Sequence, residues 1–327
     1  MKLTRIAVGA LALAIASPVL AQDSLVIGTG GTGGAYYPIG VGMARIVSEA
    51  DPSLRVDAVS SGGSTENVQL IAREEIELGI TNGVVATLAA RGESVFEGTP
   101  RTTLRAVFSL YGNTEHHVAL ADAAPTGTID DLATLPGPYN IGGRQSGART
   151  AAELMLQALG HDPEAISLEF IGSYSEAGSA LQDRRISAAN LGAGIPVPAI
   201  TEIYAALGAD RVRILRFEDE HIARIDAAHP GLYYGVTIPA GSYPGQTEDI
   251  PTAEYANLMV VDESIDEDVV YRFTKAVFEN IEKIHEVHPA AKGITLENAF
   301  SGLPVPLHAG ALRYFDEIGV AVPEGLR

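Results

Sequence analysis

Short apolar runs alternate with amphipathic segments along most of the chain. Apolar runs of strand length predict β-strands at 25–28, 55–60, 77–81, 104–110, 117–120, 139–142, 167–171, 187–191, 212–216 and 254–261. Between many of them, apolar residues with helical spacing predict α-helices at 38–49, 64–73, 84–91, 147–159, 174–184 and 197–207. This alternation indicates an α/β fold with parallel sheets.

The carboxyl-terminal third has a different pattern. Asp266 to His288 is predicted to form one long amphipathic helix, and Leu307 to Ile318 another. Two segments rich in Pro, Gly, Asp and Thr, 121–138 and 239–252, are predicted to be surface loops. The length of the chain predicts two lobes, since domains usually contain about 100–200 residues. Each of the two loops borders an expected crossing between these lobes.

The first 21 residues have the pattern of a secretory signal peptide. Lys2 and Arg5 precede an apolar stretch, Ile6 to Ile15, and Val19-Leu-Ala21 provides the small residues of a cleavage site. The stretch is much shorter than the ~20 apolar residues that cross a bilayer. We therefore expect residues 1–21 to be removed and the mature protein to be exported, without stable insertion into a membrane. The alternative is an uncleaved anchor.

The chain is strongly acidic and has no cysteine. It contains 22 Lys and Arg against 41 Asp and Glu, a formal net charge of −19. Such a charge argues against nucleic acid and anionic membrane surfaces as partners, and an anionic ligand would need a locally positive pocket. The absence of cysteine excludes disulfides, thiolate catalysis and zinc–thiolate sites.

A glycine-rich stretch, Gly28-Thr-Gly-Gly-Thr-Gly-Gly-Ala-Tyr-Tyr-Pro38, lies between the first predicted strand and the first predicted helix. Its glycines leave backbone N–H groups uncovered, and the helix adds unpaired N–H groups and a positive dipole end, so the stretch is suited to hold an anion. Similar loops follow other predicted strands, at 60–64, 142–149 and 190–196, and two facing sheets would bring these loops together. The alternative is that such loops only make tight turns.

Other interpretations of the motifs have less support. Gly28-x-Gly30-x-x-Gly33 matches the dinucleotide fingerprint, but the second predicted strand ends in Ser60-Ser-Gly-Gly63 and not in the acidic residue that binds a ribose. The sequence contains no P-loop and no Gly-x-Ser-x-Gly elbow. Adjacent strand residues face opposite sides, so at most one of His116 and His117 reaches a given cleft. We expect no cofactor, no metal and no enzymatic activity.

Arg149 is the leading candidate for a charged ligand contact. Ser146 is a suitable N-cap, which puts Arg149 in the first turn of the helix predicted over 147–159. A cation there opposes the helix dipole and costs on the order of 0.3–1 kcal/mol. A carboxylate held by two hydrogen bonds from the guanidinium would offset this cost, whereas the alternative is a solvated surface arginine.

Several motifs, spread over nearly the whole mature chain, are similar to those of one known family. They are Gly28-Thr-Gly-Gly-Thr-Gly-Gly-Ala-Tyr-Tyr-Pro38, Ser61-Gly-Gly-Ser-Thr-Glu-Asn67, Ser146-Gly147, Gly194-Ile-Pro-Val-Pro-Ala199, Pro239-Ala-Gly-Ser-Tyr-Pro-Gly-Gln246 and Pro306-Leu-His-Ala-Gly-Ala311. In these motifs the chain resembles the TAXI-type extracytoplasmic solute-binding proteins of tripartite ATP-independent periplasmic (TRAP) transporters. The resemblance implies a type II periplasmic-binding-protein fold, in which two α/β lobes close by a hinge over a ligand in the cleft between them.

The resemblance also implies a function and partners. Family members bind a small carboxylate such as glutamate or 2-oxoglutarate in the periplasm and dock onto TRAP transporter membrane subunits driven by an ion gradient. The chain departs from the family at Ser146-Gly-Ala-Arg149, where Ser-Gly-Thr-Glu is common, and at Ser187, where the family has an acidic residue. The first change suggests a ligand with more negative charge than usual.

We therefore expect lobe I to comprise 24–112 plus 254–327, and lobe II to comprise 113–253. The expected ligand contacts of lobe I are Gly30, Gly31, Thr32, Gly33, Tyr36, Ser61, Gly62, Gly63, Ser64 and Asn82. Those of lobe II are Ser146, Gly147, Arg149 and Gly194. The leading hypothesis is a solute-binding subunit of a TRAP transporter. The alternative is a periplasmic sensor that presents a bound carboxylate to a membrane signalling protein.

Overall fold

A computed structural model describes residues 22–327, so the expected signal peptide, residues 1–21, lies outside the described residues. The strands are β1 (Asp23–Gly28), β2 (Leu54–Val59), β3 (Leu78–Asn82), β4 (Leu104–Thr114), β5 (His117–Leu120), β6 (Tyr139–Asn140), β7 (Leu168–Glu169), β8 (Ala188–Asn190), β9 (Val212–Ile214), β10 (Tyr234–Ile238) and β11 (Ile250–Asp262). The α-helices are α1 (Tyr36–Ala50), α2 (Ser64–Ala72), α3 (Gly83–Arg91), α4 (Gly147–Ala158), α5 (Tyr174–Gln182), α6 (Pro198–Leu207), α7 (Asp219–Ala228), α8 (Glu267–Glu279), α9 (Ile281–His285) and α10 (Ala309–Glu317). Short 3-10 helices lie at Ser94–Phe96, Ile129–Thr134, Pro163–Ala165, Pro289–Gly293 and Glu324–Leu326.

Residues 22–327 form two mixed β-sheets, one in each of two α/β lobes. The sheet of lobe I has the strand order β10-β11-β3-β1-β2 with β4 paired to β11, and the sheet of lobe II has the order β7-β6-β8-β5-β9. β1 is parallel to β2 and β3, as predicted, but β11 is antiparallel to β3, β4 and β10. β5 is also antiparallel to β8 and β9. The prediction of parallel sheets is therefore wrong for the strands that enter and leave lobe II, because they run against their neighbours.

Helices cover both sheets and bury a stripe of apolar residues. On α1, Ile39, Met43, Ile46 and Val47 are buried, at the spacing of one helix face. They join Phe273 of α8 in the core of lobe I. In lobe II, α5 and α6 pack against β5, β8 and β9 in a separate apolar cluster. A third apolar cluster contains residues of both lobes, such as Val84 of α3 and Met155 of α4, so apolar packing continues across the boundary between the lobes.

The chain passes between the lobes on β4 and β11. Thr114, at the end of β4, lies opposite Glu254 of β11, and the N–H of Glu115 donates to the carbonyl oxygen of Ala253 at 2.8 Å. Thr252 donates its hydroxyl to the carbonyl oxygen of Glu115 at 2.8 Å. The expected lobe boundaries fall inside these two strands. β10 pairs with β11 in the sheet of lobe I, although its residues lie within the range expected for lobe II.

The long helix predicted from Asp266 to His288 is interrupted in the structure. α8 ends at Glu279, and Asn280 separates it from α9 with backbone angles φ −117° and ψ 26°. The Asn280 side chain donates to the carbonyl oxygen of Ala276 at 3.0 Å, one of the local hydrogen bonds by which Asn competes with a regular helix. Within residues 22–327, no helix is long and apolar enough to cross a membrane.

Candidate ligand-binding site

One buried asparagine positions the loops that follow β1 and β2. The Asn67 side-chain nitrogen donates to the carbonyl oxygens of Gly28, Thr29 and Ile80 at 3.1, 2.7 and 2.8 Å. Its oxygen accepts a hydrogen bond from the hydroxyl of Ser61 at 2.6 Å. Asn67 has no solvent exposure, so these bonds hold both glycine-containing loops firmly against β3.

Five α-helices of the described chain begin at one cavity between the lobes, namely α1, α2 and α3 of lobe I and α4 and α5 of lobe II. The cavity volume is about 70 Å³. This is room for roughly half a dozen water-sized groups, at about 10–15 Å³ each. The lining residues are Gly30, Gly31, Gly34, Ala35, Tyr36, Gly62, Gly63, Ser64, Asn82, Asn113, Ser146, Gly147, Ala148, Gly172, Tyr174, Gly192 and Ala193.

None of the described residues that line this cavity has a charged side chain. The helix starts therefore supply the partial positive charges of the lining, because their first N–H groups have no partner within the helix and the dipole is positive there. Glycines at many lining positions leave room for a ligand to approach the backbone. The site is thus suited to an anion held by N–H groups and hydroxyls.

Lobe I contributes polar side chains next to the glycine loops. The Tyr36 hydroxyl donates to the Asn257 side-chain oxygen and lies 3.3 Å from the hydroxyl oxygen of Ser64. Asn82 caps α3 by accepting a hydrogen bond from the N–H of Val85 at 2.8 Å. Because the oxygen of Asn82 is used in this cap, its NH₂ group is the part of the side chain that can donate to a ligand.

Lobe II contributes the starts of α4 and α5. Ser146 caps α4 by accepting a hydrogen bond from the N–H of Arg149 at 3.2 Å. Tyr174 donates its hydroxyl to the carbonyl oxygen of Gly192 at 2.6 Å. Burial raises the pKa of Tyr36 and of Tyr174 far above the usual value for tyrosine. Both hydroxyls are therefore neutral at physiological pH.

The lobes touch each other around the cavity, in a closed arrangement. The N–H of Glu66 in lobe I donates to the carbonyl oxygen of Gln145 in lobe II at 3.3 Å. The hydroxyl oxygens of Thr65 and Thr150 lie 3.3 Å apart across the same boundary. Nearby, a Cβ on Gly33 would lie 3.1 Å from atoms of the lobe II residues Tyr174 and Ser175. Small residues thus let the two lobes meet at backbone distance.

The structure brings most of the sequence-predicted contacts to the cavity. Those that line it are Gly30, Gly31, Tyr36, Gly62, Gly63, Ser64, Asn82, Ser146 and Gly147. Those outside the lining are Thr32, Gly33, Ser61, Arg149 and Gly194. Of these, Thr32 is exposed and Ser61 bonds to Asn67. Gly194 packs against Tyr111 and Ala290, where a Cβ would be 2.8 Å and 2.5 Å from their side chains.

Arg149, the leading candidate from the sequence for a charged ligand contact, does not line the cavity. Its Nε donates to a carboxylate oxygen of Glu153 at 2.8 Å, and Nη1 donates to the carbonyl oxygen of Arg144 at 3.0 Å. The guanidinium carbon also lies 5.1 Å from the ring centre of Phe170. These local partners satisfy the charge, so we leave Arg149 out of the proposed ligand contacts.

His116 and His117 are both fully buried, and neither lines the cavity. Nδ1 of His116 lies 2.8 Å from the carbonyl oxygen of Thr114, and Nε2 lies 2.8 Å from the hydroxyl of Tyr243. Burial lowers the pKa of His116 from 6.5 to about 4. His117 contacts the hydroxyl of Tyr139 through Nδ1 at 2.7 Å. Both histidines therefore have structural partners at the crossing between the lobes.

Of the other lining residues, Gly34, Gly192 and Ala193 lie in glycine loops predicted from the sequence. The lining residues that sequence reasoning missed are Ala35, Asn113, Ala148, Gly172 and Tyr174. Gly172 lies in the loop between β7 and α5, and Tyr174 is the first residue of α5. This stretch carries the same strand, glycine and helix signal as the other loops. That signal was available in the sequence. Asn113 lies near the end of β4, and only the path of the crossing strands brings it to the cavity.

Comparison with solved structures identifies the fold. The periplasmic binding protein BugD matches with a TM-score of 0.56 and 13% identity, over 91% of this chain and 98% of BugD. MatC from Rhodopseudomonas palustris, solved with bound malate, matches with a TM-score of 0.54 and 12% identity, over 92% of this chain and 97% of MatC. A protein from Bordetella bronchiseptica RB50 matches with a TM-score of 0.54 and 15% identity, over 93% of this chain and 91% of that protein. The chain has the two-lobed α/β fold of periplasmic binding proteins.

Residues 27–319 match the model of the NMT1-like family, and the chain belongs to this family. The matched range includes both lobes and every described residue that lines the cavity. The family match and the fold comparison therefore cover the same two lobes.

Proposed function

We propose that the chain is the solute-binding subunit of a TRAP transporter, which captures a small carboxylate between its lobes in the periplasm and delivers it to the membrane subunits. The observation that carries this proposal is the meeting of five helix starts at a cavity whose described lining has no charged side chain. Helix N-termini and glycine N–H groups favour an oxygen anion and give a cation no counter-charge.

The resemblance to TAXI-type proteins supports the same ligand class. Its motifs include the loops that begin α1, α2 and α4, all of which line the cavity. The fold neighbour MatC was solved with malate, a small carboxylate, although its identity with this chain is only 12%. The cavity of about 70 Å³ also favours a small ligand.

In the proposed complex, each lobe donates hydrogen bonds to the ligand. Lobe I offers the N–H groups of Gly30 and Gly31, the hydroxyl of Ser64 and the NH₂ group of Asn82. Lobe II offers the N–H groups at the start of α4, beginning at Gly147. A ligand that contacts both lobes binds the closed state more tightly than the open one, so it shifts the population toward closure.

A thermal-shift screen followed by titration calorimetry tests the ligand class. Butanoate, succinate, glutamate and 2-oxoglutarate are compared with butanamide, which has a similar size and no charge. At least one carboxylate should raise the melting temperature, because a ligand stabilises the folded protein by RT ln(1 + [L]/Kd), and butanamide should not. An equal shift by butanamide, or no shift by any carboxylate, would refute the proposed ligand class.

Reconstitution tests the proposed partners. The mature protein is added to vesicles that contain TRAP membrane subunits, and uptake of the bound carboxylate is measured. Uptake should need both the protein and an ion gradient, and it should not need ATP. Uptake that is independent of the added protein would contradict the proposed role in transport.

A further inference from the structure

A carboxylate, that of Glu115, is buried directly behind one wall of the cavity. Glu115 has no solvent exposure, and its Oε2 lies 3.4 Å from the position that a Cβ on Gly192 would take. The side-chain oxygen of Asn190 and the carbonyl oxygen of Thr114 lie 3.4 and 3.5 Å from the same position. Gly192 lines the cavity, so only a glycine separates the cavity from three oxygen atoms on this side.

The carboxylate of Glu115 has a polar neighbour within ion-pair distance, the imidazole of His117. Among residues 22–327, neither of its oxygens has an aligned hydrogen-bond donor. Nε2 of His117 lies 3.1 Å from Oε2, but this pair does not have the geometry of a hydrogen bond. Tyr174 lines the cavity, and two causes raise its pKa: the larger is burial, and the second is the negative charge of Glu115. The field of Glu115 therefore reaches the cavity lining.

The cavity consequently has two different ends. The helix starts of lobe I and α4 offer N–H donors, and the carboxylate beside them, that of the partly exposed Glu66, already accepts from the N–H of Gly62. The wall at Gly192 instead has the fully buried Glu115 behind it, and the carbonyl oxygen of Gly192 already accepts from Tyr174. A second negative charge on a ligand would face this wall in a region of low dielectric, where repulsion is strong. Specificity is often achieved by such a repulsive group.

We propose that Glu115 makes the cavity select carboxylates whose far end is neutral or cationic, and reject dicarboxylates. This inference rests on the proposed function, because it assigns the charge of the ligand at the same site. It also reverses the expectation, based on Arg149, of a ligand with more negative charge than usual. Glu115 acts here as a specificity determinant through the wall at Gly192, without touching the ligand.

Matched ligands test the selection in the wild-type protein. Succinate and succinamate have nearly the same shape, but succinamate has a neutral amide in place of one carboxylate. Titration calorimetry at pH 7.5 should give succinamate an affinity at least tenfold higher, which corresponds to about 1.4 kcal/mol. 4-Aminobutanoate, with a cationic far end, should also bind more tightly than succinate. Equal affinities, or a preference for succinate, would overturn the proposal.

Glu115→Gln tests the residue itself. The amide keeps the shape of the side chain and removes its charge, so the preference for succinamate should fall to within about threefold, a difference of less than 1 kcal/mol. Glu254→Gln is the control, because Glu254 is a second carboxylate at the crossing, partly buried, bonded to Thr114 and outside the lining. It should leave the preference unchanged. An unchanged preference in a folded Glu115→Gln protein would overturn the assignment.

The two proposals fail in different ways. If neither succinamate nor any other carboxylate binds the wild type, the proposed function is refuted and the selection with it. If succinate and succinamate bind equally well, the proposed function stands and only the role of Glu115 is refuted. Should Glu115→Gln fail to fold, the comparison of ligands in the wild-type protein still decides the selection.

Discussion

Gly147 of lobe II meets Asn82 of lobe I across the cleft, and a Cβ on Gly147 would lie 2.5 Å from the side-chain nitrogen of Asn82. Cβ atoms almost never approach another heavy atom so closely. The same position is equally close to the Cβ of Ser64. The closed arrangement of the lobes therefore depends on the absence of a side chain at the start of α4.

Gly147→Ala should weaken binding of the best carboxylate at least tenfold, about 1.4 kcal/mol. The three heavy atoms nearest to the added methyl group all belong to lobe I, so the methyl group opposes closure. Within lobe II, alanine suits a helix better than glycine. Titration calorimetry measures the affinity, and X-ray scattering measures whether ligand still compacts the protein.

Gly31→Ala is the control for this substitution. Gly31 also lines the cavity, but a Cβ there would have no heavy atom within 4 Å. We expect Gly31→Ala to change the affinity much less than Gly147→Ala. Equal losses for the two variants would contradict the view that contact between the lobes at Gly147 limits closure.

Arg149→Gln should change the affinity for the ligand by less than about twofold, or 0.4 kcal/mol. The guanidinium is paired with Glu153 on the same helix and bonded to the carbonyl oxygen of Arg144, so its removal takes nothing from the cavity. Loss of this partly exposed pair should lower the free energy of unfolding by less than about 1 kcal/mol. A tenfold loss of affinity by calorimetry would instead restore the sequence-based assignment of Arg149 to the ligand.

Asn67→Ala should lower the free energy of unfolding by about 2–4 kcal/mol, since several buried groups lose a partner at once. The carbonyl oxygens of Gly28, Thr29 and Ile80 all accept from this side chain. Urea unfolding measures the change. The control is Asn298→Ala, because Asn298 is exposed and donates to one carbonyl oxygen, and it should cost less than about 1 kcal/mol. Similar costs for both variants would show that Asn67 does not anchor the loops.

His116 should make stability fall as the pH is lowered from 6.5 toward 4. Burial holds its pKa at about 4 in the folded protein, against 6.5 when unfolded, so the unfolded chain binds the proton more readily in this window. Above pH 6.5 His116 does not reduce the free energy of unfolding. Between pH 6.5 and 4 this free energy falls by roughly 3 kcal/mol, at 1.36 kcal/mol for each pH unit.

The measurement is urea unfolding at several pH values for the wild type and for His116→Gln. The variant cannot titrate at this position, so its stability should depend less on pH between 6.5 and 4. The difference between the two proteins isolates His116 from other groups that titrate in the same range. If both proteins lose stability with the same slope, His116 is not the cause.

Much of the local structure followed from the sequence, because it depends on neighbours along the chain. The glycine loops and the helices after them, such as α1 and α4, have signals within about a dozen residues: a strand, then glycines, then a cap such as Ser146. These signals identified most of the cavity lining. The direction of the strands at the crossing was not predictable in this way, since it depends on which strands pair after the whole chain has folded.

The sequence by itself determined an α/β chain with several anion-suited loops at the starts of helices, because strand and helix periods and glycine conformations are local properties. Only the tertiary structure decided which charges act at the cavity. Arg149 lies in the first turn of α4 and is bonded to Glu153, whereas Glu115 lies between β4 and β5 and is placed behind Gly192, which lies far from it in sequence. The orientation of a long side chain and the charged groups behind a cavity lining depend on packing between distant segments, and no local pattern encodes them.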